Sequence, residues 1–186
     1  AEYSAAVAGL TQPQTEAFAE LARVAHLLAV SKIPQVIEWV EDVLEAQEKV
    51  VVFAHHRDVV EGIAGAFGNE AVILYGGMSN EAKDASVVRF QTDPTCKVFV
   101  GSIQAAGLGI TLTAASTVVF AELDWVPGNM TQAEDRLHRI GQTGAVLVQH
   151  LVIDGSLDAR KAVVLIQKQR VIDKVLDDDH SVAVTE

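Results

Sequence analysis

Five short runs rich in valine and other apolar residues, most of them separated by stretches of helical periodicity, constrain this chain more than any other feature. The first, Lys49-Val50-Val51-Val52-Phe53-Ala54, is apolar at every position after the lysine, the pattern of a strand covered on both faces rather than one. Ala71–Tyr75, Cys96–Gly101, Thr117–Glu122 and Ala145–Ile153 continue the series. Helical spacing marks Arg57 to Phe67, Ser79 (as a cap) through Phe90, Asn129 to Ile140, and Ser156 to Leu176. Strands alternating with helices imply an α/β domain whose central sheet is parallel, with right-handed crossovers.

Upstream of this rhythm, Phe18, Leu21, Ala22, Ala25, Leu28 and Ala29 form one helical stripe within Thr15–Val30. Ser31 is then expected to cap a second helix, with Pro34 in its first turn, ending near Glu48. Residues 1–14 are expected to be a loosely held lead-in, residues 15–176 the folded domain, and residues 177–186 a solvated acidic tail containing Asp177-Asp178-Asp179-His180. The chain starts at Ala1 without a methionine, which reads as a piece of a longer protein.

Composition removes several function classes. At 186 residues the chain has room for one domain, and its 49% hydrophobic and 21% charged content supports a packed core rather than disorder. The single cysteine, Cys96, excludes an internal disulfide framework and a Cys-based zinc site, and fits a reducing compartment: the cytoplasm, or the nucleus in a eukaryote. Val98 to Ala121 is an uncharged 24-residue run, long enough for a bilayer. Its glycines, threonines and serines between two β-rich ends read instead as strand, loop, strand, so no membrane partner is expected. Net charge is −11 and no quarter of the chain is net basic, so any nucleic-acid contact must be local.

In parallel sheets, ligands sit outside the carboxyl ends of the strands. Three segments fall there: His55-His56-Arg57, Gly101–Thr113 and Glu122–Gly128. The most informative helix follows them. On an ideal helix Gln132, Asp135, Arg136 and Arg139 lie within an arc of about 100°, while Ala133, Leu137 and Ile140 can anchor the neighbouring arc on the sheet. Two guanidiniums projecting together suit phosphate oxygens. The plainer alternative is a solvated face with an Asp135–Arg139 pair one turn apart.

Asp124-Trp125-Val126-Pro127-Gly128 followed by Gln132-Ala133-Glu134-Asp135-Arg136-x-His138-Arg139-Ile140-Gly141-Gln142 closely resembles the last motifs of the SWI/SNF-type ATP-dependent DNA translocases, a branch of superfamily-two helicases. Ala105-Ala106-Gly107-Leu108-Gly109-Ile110-Thr111-Leu112 resembles the preceding motif. Val51–His56, Tyr75–Ser79 and Ser31-Lys32 match earlier ones, so the resemblance covers roughly residues 25 to 175. Phe53-Ala54-His55-His56 and Ala121-Glu122-Leu123-Asp124-Trp125 lean toward the annealing-helicase branch. The departures are Gln104 at a commonly basic position, Ala106 at a commonly glycine one, and Thr111 where relatives often carry asparagine.

The resemblance implies a carboxyl-terminal RecA-like lobe: a three-layer fold with a mostly parallel sheet of five or six strands and helices on both faces. It implies ATP with Mg²⁺, both held mainly by a first RecA-like lobe; this chain has no G-x-x-x-x-G-K-[ST] segment. By position Arg139 resembles the arginine finger and Arg136 its companion, with Gln132, Gly107, Gly109 and Thr111 on the nucleotide side. Gly77, Ser79, Ser102 and Trp125 match positions that grip double-stranded or forked DNA. For Trp125, packing beside Pro127 is the alternative, and for Ser79 simple capping. A non-catalytic DNA- or partner-binding module derived from such a lobe is the rival from another class. Adjacent His55 and His56 do not suggest a metal site, and Cys96 is expected to be a buried, inert thiol.

Overall fold

The computed structural model describes residues 12–142 and 144–181. A helix α1 (Gln12–Ala46) leads into β1 (Val50–Ala54), α2 (Arg57–Phe67), β2 (Ala71–Leu74), α3 (Asn80–Thr92), β3 (Val98–Ser102), a 3₁₀ turn (Ile103–Leu108), β4 (Thr117–Phe120), α4 (Pro127–Glu134), β5 (Leu147–His150) and α5 (Leu157–Ser181). The five strands form one sheet in the order β2-β3-β1-β4-β5, and every pairing is parallel. Residues 1–11, part of the expected lead-in, lie outside the described residues.

Alternation along the strands builds two cores. Val50, Val52, Ala54, Val98, Val100 and Val119 face α1 and α2, where Val36, Val40, Val59, Val60 and Ile63 cover them. Val51, Phe53, Phe99, Val118 and Phe120 face the other way, onto Phe90 of α3, Met130 and Ala133 of α4, and Leu165 of α5. Small aliphatics thus pack one face and aromatics the other, and helices cover both, a three-layer α/β arrangement. Gly101 sits opposite Phe53 in the β1–β3 register. A Cβ there would stand 2.9 Å from a Phe99 ring carbon and 3.2 Å from a Phe53 ring carbon, so glycine is required by the packing of those two rings.

Three sequence expectations are corrected. The chain does not break at Ser31: α1 is one helix of 35 residues with Pro34 inside it. Ser31 Oγ donates back to the Leu28 carbonyl at 2.7 Å instead of capping. Ala29, Lys32, Val36 and Val40, all buried, form an unbroken stripe across the proline, and burial of that stripe outweighs the lost backbone bond. Second, the helix after β4 stops at Glu134 rather than reaching Ile140. The Arg136 carbonyl, which would accept from residue 140 in a continuing helix, accepts from Leu112 N–H at 2.9 Å. Ala133 and Leu137 are buried as expected, but Ile140 is fully exposed and anchors nothing. Third, Asp177–His180 belong to α5, which continues to Ser181. Most strand ends fall inside the apolar runs, although β1 ends at Ala54 as expected and β3 runs one residue past Gly101, to Ser102. Val98–Ala121 resolves into β3, the 3₁₀ turn and β4; among the described residues no helix is long and apolar enough to cross a membrane.

Candidate functional site

The carboxyl rim of the sheet is organised by buried acidic residues. Glu122, at the end of β4, accepts from the backbone N–H groups of His55 and His56 at 2.8 and 2.9 Å through Oε2 and contacts His56 Nδ1 at 2.7 Å through Oε1. It therefore ties the loop after β1 to the loop after β4. Asp124 accepts from Val126 N–H at 2.8 Å and from Asn129 Nδ2 at 3.0 Å, closing the turn that Pro127 continues as the first residue of α4. The spacing Asp124-x-Val126-Pro127-x-Asn129 is thereby explained by a local turn.

Beyond α4 the two arginines occupy different settings. Arg136 is buried, and its Nε donates to the Gln132 carbonyl at 3.1 Å. Arg139 is exposed and crosses to the loop after β3, where Nη1 donates to the Gly109 carbonyl and to Thr111 Oγ1, each at 2.9 Å. The shared arc expected for them does not form, because the helix ends first. No ion pair joins Asp135 to Arg139, and neither guanidinium meets a carboxylate, among the described residues. Gly109 ends the 3₁₀ turn in the left-handed region, φ 76°, which favours glycine. Gly107 lies inside that turn. Gln132 is exposed on α4. Gln142 holds the far end of the arginine segment, donating through Nε2 to the Ala115 carbonyl at 2.8 Å.

A second cluster of the expected residues gathers around a cleft of about 210 Å³ lined by His55, Arg57, Tyr75, Gly76, Gly77, Ser102 and Gln104. Ser102 is itself buried, and its Oγ accepts from Ala105 N–H at 3.3 Å, capping the 3₁₀ turn. Ser79 does not line this cleft; it caps α3, accepting from Ala82 N–H at 3.2 Å. Trp125 does not line it either; 45% exposed, it borders a neighbouring recess that shares His55 with the cleft and is also lined by Ala22, Ala25, His56 and Lys161. Arg57, placed by the sequence in a rim segment but given no binding role there, stacks its guanidinium over Tyr75 at 4.5 Å and pairs with Glu61 at 2.8 Å. Its place at the start of α2, just after β1, was the available signal for such a role. Lys32, which the sequence marks only as part of the Ser31-Lys32 match, is buried, pairs with Asp158 and donates to the Leu151 carbonyl at 3.0 Å.

Among the described residues no group of three or more His, Cys, Asp or Glu is arranged to hold a metal ion. The chemistry of the rim fits the outer face of a polyphosphate: cationic, rich in N–H donors, and free of competing carboxylates at Arg139 among the described residues. Cys96 is buried, and burial pushes its thiol up in pKa.

Fold and rim together define a RecA-like α/β lobe that presents cations and backbone donors from strand-end loops. The helicase conserved C-terminal domain family matches residues 32–141, and the chain belongs to that family. It is 43% identical over 134 residues to the SWI/SNF-related matrix-associated actin-dependent regulator of chromatin subfamily A-like protein 1 of Xenopus laevis, covering 70% of this chain and 14% of that protein. It is 38% identical over 153 residues to the DNA annealing helicase and endonuclease ZRANB3 of Mus musculus, covering 80% of this chain and 14% of that one. The solved C-terminal part of the Fun30 ATPase domain matches with a TM-score of 0.67 at 25% identity, over 72% of this chain and 44% of that one. The lobe is of the SWI/SNF type, and it spans about 14% of the length of these curated relatives.

Proposed function

We propose that this lobe is the second half of an ATP-dependent double-stranded-DNA translocase, working against a first RecA-like lobe that holds the nucleotide and its Mg²⁺. The observation that carries the reading is the seating of Arg139. Its Nη1 is held by a carbonyl and a hydroxyl of the loop after β3, leaving Nε and Nη2 without a partner among the described residues. A guanidinium held by neutral acceptors gains when a phosphate replaces them, since charge-assisted bonds are roughly twice as strong as neutral ones. Arg139 would then stabilise charge developing on the transferred phosphoryl oxygens, an effect on the order of 10³–10⁵ in rate. Arg136, tied to the Gln132 carbonyl, would hold the neighbouring turn and supply a second cation.

The DNA grip falls to the cleft of Gly77, Ser102 and Arg57, with Ser79 and Trp125 flanking it. Backbone N–H groups, hydroxyls and one arginine bind phosphate without reading bases, which suits a motor moving on any sequence. The 3₁₀ turn joins the two halves: Ser102 caps its start and Gly109, the acceptor for Arg139, ends it. A shift of Arg139 on nucleotide closure would be passed along six residues, Ile103–Leu108, to the DNA cleft.

The test is DNA-stimulated ATPase activity in the two-lobed protein with Ser102→Ala and Trp125→Ala combined. Weakened or uncoupled stimulation is expected; unchanged stimulation at every DNA concentration removes the assigned contacts. The net charge of −11 favours a second reading, a non-catalytic DNA- or partner-binding module. Assaying the chain alone and mixed with a first lobe separates them: no turnover alone on either reading, and turnover on mixing only for the motor.

A further inference from the structure

We propose that α5 is the positioning element of the Trp125 loop, acting through Lys161 and Lys168. The helix lies beyond residues 32–141, the span that matches the family. Asp158, Lys161, Leu165 and Lys168 follow one another at intervals of three and four, so they share one face. That face is spent on the rim. Asp158 pairs with Lys32 of α1, both side chains almost wholly buried. Leu165 joins the core beside Met130 and Leu137. Lys161 is 8% exposed and holds its Nζ 4.9 Å from the centroid of the Trp125 indole and 3.5 Å from the Leu123 carbonyl. Lys168 Nζ donates to the Trp125 carbonyl at 2.8 Å.

Two ammonium groups therefore hold Trp125 at separate points, one at the ring and one at the backbone. Without them the loop between β4 and α4 keeps the Ala121 and Glu122 bonds to the end of β1 and its loop and the Asp124 turn bonds to Val126 and Asn129, which restrain the backbone on either side of Trp125 but not its ring. A half-exposed indole on such a loop would sample several rotamers, and an interaction that needs one orientation would lose entropy on binding. Cation–ring attraction is strongest where the cation is desolvated, the setting of Lys161. The consequence for DNA rests on the reading of Trp125 given above; the positioning itself does not.

The 186-residue chain contains two tryptophans, so Trp39→Phe leaves Trp125 as the sole tryptophan, excited selectively at the red edge where tyrosine does not absorb. Acrylamide, a neutral quencher whose local concentration does not follow charge, then reports the freedom of the indole. With Lys168→Met or Lys161→Met/Lys168→Met, the quenching constant is expected to rise about twofold or more as the loop opens locally, with an unchanged far-ultraviolet spectrum. Lys168→Arg is expected to restore the parent value. Unchanged quenching in a folded double variant overturns the proposal, and so does failure of Lys168→Arg to restore it. If the double variant does not fold, exposed Lys168→Met decides alone. Fluorescence anisotropy with a short labelled duplex separates the two ideas. Raised quenching with weaker duplex binding supports both. Raised quenching with duplex affinity unaltered, in Trp125→Ala as well, supports the positioning role and overturns the DNA role of Trp125.

Discussion

Arg139 Nη1 lies 2.9 Å from Thr111 Oγ1, although the two residues belong to segments separated by β4 and α4. The same nitrogen bonds the Gly109 carbonyl, and one turn earlier the Arg136 carbonyl receives the Leu112 N–H. Two contacts, one from a side chain and one from the backbone, thus lock the arginine segment onto the loop after β3. Thr111 supplies a hydroxyl acceptor, and the arginine is seated by it.

Arg139→Ala in the two-lobed protein is expected to lower DNA-stimulated ATPase by about 10³-fold or more, while circular dichroism and duplex binding stay at parent values. Lysine is not an adequate replacement, because it lacks the planar fork, so Arg139→Lys should recover little. Turnover at the normal rate in Arg139→Ala removes the finger assignment.

Lys32→Met strands the buried Asp158 carboxylate. Removing one partner of a buried pair typically costs about 3–5 kcal/mol, measurable by urea denaturation. Asp158→Leu added to Lys32→Met should recover most of that loss, since two apolar side chains leave no buried charge.

Gly109→Ala is predicted to cost about 1 kcal/mol, the usual penalty of a left-handed backbone for a residue with Cβ. Space is not the obstacle: a Cβ there meets nothing within 4 Å. The loss should therefore appear equally in Gly109→Ala and Gly109→Ser, with Gly109→Asn milder.

Pro34→Ala should stabilise the chain. Pro34 is exposed within α1, where proline is about 3 kcal/mol worse than alanine in an ordinary helix interior. Part of that cost is already relaxed, so a gain of about 1–2 kcal/mol is expected. A lower melting temperature would mean that the proline ring makes a contact worth more than the backbone bond.

Burial raises the pKa of the Glu134 carboxyl, Asp135 adds in the same direction, and His138 opposes. The folded state then holds a proton over a pH window in which the unfolded chain has released it. Stability falls as pH rises through that window, and the ionised side chain costs stability above it. Burial lowers the pKa of nearby His150, so its neutral ring, 4.0 Å away, offers little compensation. Glu134→Gln is expected to be more stable than the parent at pH 8, with the difference vanishing as pH falls below the ordinary glutamate range. An equal difference at both ends of the pH range would show that the effect is not ionisation.

The β-strands, the parallel class of the sheet and the residues of the rim were legible because their signals are local. Val50–Ala54 is a short valine-rich apolar run, the form of a strand covered on both faces, and Gln132–Gln142 carries its family resemblance in consecutive residues. The sequence by itself therefore determined the three-layer architecture and the family. Tertiary contacts decided the rest. A continuous buried stripe carried α1 through Pro34, the Leu112 N–H ended α4 at Glu134, and Lys32 met Asp158 across 126 positions of chain. Local propensities at these points amount to a few kcal/mol, and the packing and hydrogen bonds that compete with them come from residues distant in sequence, which no local pattern can register.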